Sequence, residues 1–241
     1  MNETLAPMLG GFSAEPILWI TVTLVVYLIA LKVYQRFNGH PLLLPVLTAV
    51  VVIVGILLLS HTPYQDYDHA TRFLQFLIGP ATVALAVPLY IQLPRLKRLW
   101  KPITVALLVG CCTAILSALG IAWLFGASTE TLLSLAPKSA TMPIAMEVSA
   151  LTGGIASLTT VACAITGISG AMFTVGLLRL FKIKDPVAQG FAMGVSAHAI
   201  GTGRAFQSGE TMGAFSALGL SLNGIATALI VPIVLALLGW F

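Results

Sequence analysis

The sequence predicts an all-α polytopic integral membrane protein: about seven spans, a re-entrant hairpin, and a 3+3 inverted repeat with interrupted helices. Three observations predict it, namely the composition, the clustering of charge, and the placement of proline and glycine in apolar runs. Of 241 residues, 58% are hydrophobic and 8% charged, and the mean hydropathy is +1.00. A soluble domain carries about 25% charged residues, so too little charge is present to cover a surface facing water. Uncharged runs cover residues 16–31, 41–60, 73–94, 102–129, 148–178, 186–203 and 211–241. Most approach the roughly 20 residues that a helix needs to cross the hydrocarbon layer. Backbone polar groups have no water there, so helices with internal hydrogen bonds are the workable solution. The alternation of a membrane barrel is absent.

Basic residues orient the spans. Nine of the twelve Lys and Arg fall in three clusters, Lys32/Arg36, Arg95/Lys97/Arg98/Lys101 and Arg179/Lys182/Lys184. Lys and Arg accumulate in loops that stay cytoplasmic. The loops between are poor in them and carry Asp66, Asp68 and Glu130. This places the N-terminus outside, with spans near 16–34, 42–60, 73–91 and 102–126. Glu3 and Glu15 replace the basic start of a signal peptide, so no cleavage is expected. A full crossing at 132–150 would put the third basic cluster outside. Pro137 and Pro143 also oppose a continuous helix there, which predicts a re-entrant hairpin. Further spans are then expected at 155–178, 187–204 and 214–240.

Starts near 42, 73 and 102 match starts near 155, 187 and 214, at offsets of 113, 114 and 112. One transmembrane domain, 1–241, thus divides into an N-terminal span (1–40), a first repeat (41–127), the hairpin (128–152) and a second repeat (153–241). Three spans per repeat invert the second copy. The middle span of each is interrupted, by Gly79, Pro80 and Pro88 in one and by Gly194, Gly201 and Gly203 in the other. Such paired interruptions are the best pointer from sequence to a transport site.

Charged and polar residues inside a bilayer are costly and usually face a cavity or a partner. Two stretches concentrate them. At 137–147, Lys138, Ser139, Thr141 and Glu147 accompany two prolines that hold the backbone out of regular helix. The freed N–H groups and the positive charge suit an anion. The competing reading is a hydrated hairpin tip, with Lys138 reaching water and Glu147 solvated. Glu147 can also pair with Lys138 or take up a proton. At 196–206, Gly201 and Gly203 permit an unwound turn, Thr202 offers a hydroxyl, and Arg204 can grip a carboxylate with two N–H groups. His198 is either a titratable group or a hydrogen-bonded core histidine. Asn223 is either glue between helices or part of the site lining. Cys111, Cys112 and Cys163 lie in apolar runs without metal-ligand spacing. No nucleophile–base pair, metal cluster or phosphate loop is present, so neither enzyme chemistry nor a cofactor is expected, although a coupling proton or Na+ fits. The net charge of +4 lies between apolar spans and does not suggest nucleic acid.

Pro137-Lys138-Ser139, Thr141, Pro143-Ile144-Ala145-Met146-Glu147 and Gly153-Gly154 resemble one signature of the LrgB/CidB family. Ser196-Ala197-His198-Ala199-Ile200-Gly201-Thr202, Arg204-Ala205-Phe206, Glu210, Gly213-Ala214-Phe215-Ser216 and Asn223-Gly224 are similar to its second. The resemblance runs from about residue 70 onward. It implies a multi-pass protein of the bacterial inner membrane acting with a small LrgA/CidA-like membrane partner. Holin- or antiholin-like names and control of murein hydrolases and autolysis belong to that family. So does kinship with the plastid glycolate/glycerate translocator, and related bacterial systems are associated with pyruvate uptake. The partner's own domain has no room in this chain. Two readings follow: a secondary carrier of a small monocarboxylate, working in the lipid bilayer as a homo- or hetero-oligomer, or a holin-like pore or regulator. Interrupted helices in corresponding places favour the carrier.

Overall fold

The computed structural model describes residues 16–37, 40, 43–84 and 86–240. The expectations for Glu3, Glu15 and signal cleavage fall outside the described residues. Among these residues the regular structure is helical throughout, and two compact units are formed, residues 1–84 and 85–241.

The first unit contains α1 (Pro16–Arg36), α2 (Pro45–Leu59), α3 (Tyr64–Ala70) and α4 (Arg72–Ala84). Trp19, in the first turn of α1, meets Tyr67 of α3 edge-on at 5.5 Å, and the Thr23 hydroxyl lies 3.0 Å from the Tyr67 hydroxyl. The 61–72 connection therefore sits at the N-terminal end of α1. The break expected at Gly79-Pro80 does not occur. Helix α4 carries Pro80 inside it and runs on to Ala84, losing one backbone hydrogen bond rather than ending.

The second unit contains α5 (Ala86–Ile91), α6 (Leu93–Leu124), α7 (Thr129–Leu135), α8 (Met142–Thr152), α9 (Ala156–Leu180), α10 (Pro186–Ser208) and α11 (Glu210–Leu237). Their boundaries follow local chemistry. Ser128 caps α7 by accepting from the Thr131 N–H, and α8 stops at Gly153 with φ 86°, a conformation glycine adopts without strain. Asp185 caps α10 by accepting from the Val187 N–H at 3.1 Å, just ahead of Pro186, where proline suits a first turn.

Packing gives this unit two ends. At the basic end Arg95 Nη2 lies 3.4 Å from Asp185 Oδ1, joining the α6 and α9 basic clusters on one side. Near it, Ile103 of α6 packs with Val187, Phe191, Phe215 and Leu218. Toward the far end, Cys111, Ile115 and Leu119 pack with Leu132, Leu133, Val148, Val231 and Leu235. Helices α6 and α11 thus run from the basic end to the far end, and α9 returns.

The segment 128–152 is a helical hairpin: α7 runs in from the far end, residues 136–141 turn, and α8 runs back. Three buried hydroxyls tie it to α9. The Ser134 hydroxyl accepts from the Ile155 N–H at 2.7 Å, and the Thr159 hydroxyl donates to Ser134 O at 2.9 Å. Thr159 and Ser149 are 2.8 Å apart.

Helix α10 corrects the expectation of a span at 187–204. Its first half follows α11 in parallel, with Gly190 against Met212 O and Gly194 against Ser216 O. Its second half runs back, with Thr202 bonded to Ser216 at 3.0 Å and Phe206 against Gly213. Gly201 would place a Cβ 2.8 Å from Met193 O, whereas eight residues of straight helix span about 12 Å. The reversal lies at His198, whose φ of 39° and ψ of −133° are non-helical. Segment 186–208 is therefore a second helical hairpin, with its open end at the basic end. Gly201 and Gly203 do not unwind the chain. Gly201 instead lets the two limbs touch, and the turn comes three residues earlier.

Among the described residues four helices are long and apolar enough to cross a membrane, α1, α6, α9 and α11. The 15-residue α2 reaches only about 22 Å at 1.5 Å per residue. The 3+3 repeat draws on both units and is not displayed within either. Inside the second unit α6 is followed by a hairpin, the long apolar α9, a second hairpin and the long apolar α11, with the hairpins opening toward opposite ends. Single cysteines replacing Lys182 and Ser208 should therefore react with an impermeant thiol reagent from one side, and one replacing Ala127 from the other. A crossing α10 would put Ser208 with Ala127 instead.

Candidate functional site

The two hairpin tips meet beside α9. In the first tip, Pro137 and Ala140 are buried, Ser139 is 4% exposed and Lys138 is half-buried. Lys138 N–H and Ala140 N–H close turns onto Leu135 O and Pro137 O. No such bond takes the N–H of Ser139 or Thr141 among the described residues. Thr141 is the N-terminal residue flanking α8, so the positive end of that helix dipole faces the tip. Ala140, Ala145 and Cys163 form one small packed cluster.

The second tip reaches the same turn of α9. His198 is 2% exposed, and its Nε2–H donates to Cys163 O at 2.9 Å; the carbonyl can only accept, which fixes the tautomer. Thr202 donates to His198 O at 2.9 Å. Gly167 and Gly170 admit the tip, because a Cβ on either would meet His198 or Ala197 at 2.5 to 2.8 Å. A non-glycine residue with this φ is strained, and two bonds plus close packing hold it. The second limb of α10 also begins here, so two helix N-termini point into one region.

Asn223 closes the site from α11. Its Nδ2 donates to Ser139 O at 2.9 Å, tying α11 to the first tip. Its Oδ1 is buried without a hydrogen-bond partner among the described residues. A buried acceptor left unmade costs about 1–3 kcal/mol, so a donor is wanted at this point.

Lys138, Ser139, Thr141, His198, Thr202 and Asn223 are thus gathered around Cys163 and its neighbours on α9 and α11. Arg204 stands apart from them. Its Nη1 donates to Ala171 O at 2.6 Å, and Ala171 lies eight residues beyond Cys163, about 12 Å toward the basic end. Gly203 is exposed. Glu147 is exposed on α8 and forms no ion pair with Lys138 among the described residues. No His, Cys, Asp and Glu group that could hold a metal occurs among the described residues. Sequence reasoning missed Ser134, Ser149, Thr159 and Ser216. They are fully buried, and an isolated hydroxyl in an apolar run gives no hint that it will find another.

The sequence pattern of the LrgB-like family matches residues 23–237. The chain is 37% identical over 218 residues to protein YxaC of Bacillus subtilis, covering 90% of this chain and 94% of that one. It is 34% identical over 224 residues to a protein of Haemophilus influenzae, covering 93% and 96%. It is also 29% identical over 243 residues to the antiholin-like protein LrgB of Bacillus cereus, covering 99% and 100%. No solved structure matches the chain.

Proposed function

The chain belongs to the LrgB-like family, and from that premise we propose that it is a secondary carrier of a small organic monocarboxylate of the glycolate, glycerate or pyruvate kind. The observation that carries this reading is the meeting of two hairpin tips, entering from opposite ends, at one turn of α9. Irregular backbone at membrane depth is tolerated where it is enclosed by protein or lines a cavity, and carriers place their sites where helices are broken. The anion's carboxylate sits against Lys138 and the N–H groups at the start of α8. Arg204 serves it one step nearer the basic end. His198 and Asn223 complete the lining, and either a proton or Na+ supplies coupling. The basic end is cytoplasmic, the N-terminus outside and the membrane the bacterial inner membrane. A small LrgA/CidA-like partner completes the transport unit, and no covalent catalysis is involved.

A second reading is favoured by the antiholin-like name of the Bacillus cereus relatives: a pore, or a regulator of murein hydrolases, without a substrate site. Uptake of labelled glycolate, glycerate, pyruvate and lactate into proteoliposomes separates the two, with and without the partner. Saturable flux selective among these acids supports the carrier. Leakage of a dye together with all four acids removes it. Arg204→Ala should weaken uptake by roughly 10-fold, the low end of what loss of a charge-assisted bond costs. Arg204→Lys should recover only part, since an ammonium cannot hold the Ala171 carbonyl and an anion in one plane.

A further inference from the structure

The mouth of the α10 hairpin holds a cleft of about 700 Å³ that the transport reading does not use, lined by Val175, Arg179, Lys184, Gln189, Ser208 and Glu210 among others. Its volume lies within the range of small-ligand sites, about 300–1,000 Å³. Pro186 and Thr211, in the first turns of α10 and α11, also line it, so the positive ends of two helix dipoles open into it. Glu210 is the one acid in the lining and sits in the first turn of α11, where it offsets that dipole. The nearby Asp185 is engaged, capping Val187 and pairing with Arg95. Neither cation of the lining forms an ion pair among the described residues. Gln189 Nε2 donates to Ile183 O at 2.8 Å and the Ser208 hydroxyl to Arg204 O at 3.4 Å, and Thr211 adds a neutral donor.

We infer that this cleft binds an oxyanion of the phosphate or carboxylate class, at a site separate from the hairpin tips. Arg179 and Lys184 hold it, and it bridges the end of α9 to the starts of α10 and α11. Such an occupant fastens both limbs of the hairpin to α9 at their base and so restrains the movement of the tip. The ligand has two sources. One is a free anion from the aqueous side. The other is an anionic phospholipid headgroup, since Leu180 and Phe181 beside Arg179 are 74% and 71% exposed and clefts of this kind at the basic side of membrane helices receive headgroups.

The test uses the full chain with Cys111, Cys112 and Cys163 replaced by alanine and Ser208 by cysteine. It is placed in nanodiscs and modified with neutral N-ethylmaleimide, so the readout needs no transport. In zwitterionic nanodiscs, inorganic phosphate should slow modification saturably relative to chloride of equal ionic strength. Slowing by phosphatidylglycerol without phosphate assigns the site to a headgroup; slowing by phosphate assigns it to a free anion. In either case Arg179→Gln combined with Lys184→Gln should weaken the effect about 10-fold, the loss expected for a charge-assisted bond. Modification unaffected by both anions, or slowed equally in the double variant, overturns the inference. Because transport is not measured, that failure leaves the carrier reading intact, and failure of the carrier leaves this site intact.

Discussion

Lys138→Ala should reduce substrate uptake by at least 10-fold and up to about 150-fold, with the protein inserted and present at normal level. The range follows from the 1.5–3 kcal/mol of a hydrogen bond to a charged group. Lys138 is half-buried in a tip whose neighbours are buried, and no ion pair involves it among the described residues. An anion entering such surroundings loses hydration and needs a positive charge with oriented donors in exchange. Losing a surface charge is far less costly, so Lys97→Ala at the exposed start of α6 should leave affinity nearly unchanged. Measuring initial uptake against substrate concentration decides the matter. A well-folded Lys138→Ala protein with unaltered affinity would move the anion site away from this tip.

Gly194→Ala should prevent the second hairpin from seating, and Gly203→Ala should do nothing harmful. A Cβ at Gly194 would collide with Ser216 O and come within 2.9 Å of Leu220 N. These are backbone atoms of α11, so no side chain can swing aside. Overpacking of this kind costs about 1–3 kcal/mol, a large fraction of a membrane unit's margin. At Gly203 nothing lies within 4 Å, and alanine favours helix by roughly 1 kcal/mol. The two variants differ by one methyl in one helix, so propensity predicts the same sign for both. Thermal unfolding in detergent, read by loss of monodisperse protein, should show Gly194→Ala markedly lower and Gly203→Ala equal to or above the parent. Equal stability of the two would mean that α10 and α11 do not pack as described.

These residues also show how far the sequence could be read. The membrane class and the break in helix between Leu135 and Met142 were legible, because long apolar runs and Pro137 act through local chemistry and geometry. The second hairpin was not. Its length of 23 residues suits a crossing, and its reversal occurs at His198 rather than at a glycine or proline, although positive φ is uncommon outside glycine. The glycines drew attention to the right segment for the wrong reason. They signal backbone contact between helices, as Gly190 and Gly194 show, and such contact has no trace in single-sequence periodicity. The candidate site was legible as residue types, since Lys138, His198 and Asn223 are costly in lipid. Their grouping depended on the fold. The displacement of Arg204 toward the basic end follows from a limb that turns back, which the spacing from His198 cannot reveal.

The depth of the two tips has a consequence for how the chain is made. Neither limb of α10, about 15–18 Å long at 1.5 Å per residue, can cross the hydrocarbon layer. A turn at that depth also leaves peptide groups that lipid cannot satisfy. The segment 186–208 therefore has no stable place until a wall stands on either side of it. Helix α9 is synthesised before it, but α11, which covers its other face, emerges only afterwards. The hairpin must wait at the membrane surface while α11 inserts, then slide in between the two. The glycine contacts and the His198 latch on Cys163 O are then the last joints of biogenesis to close. Chains halted before α11 should hold residues 186–208 outside the bilayer.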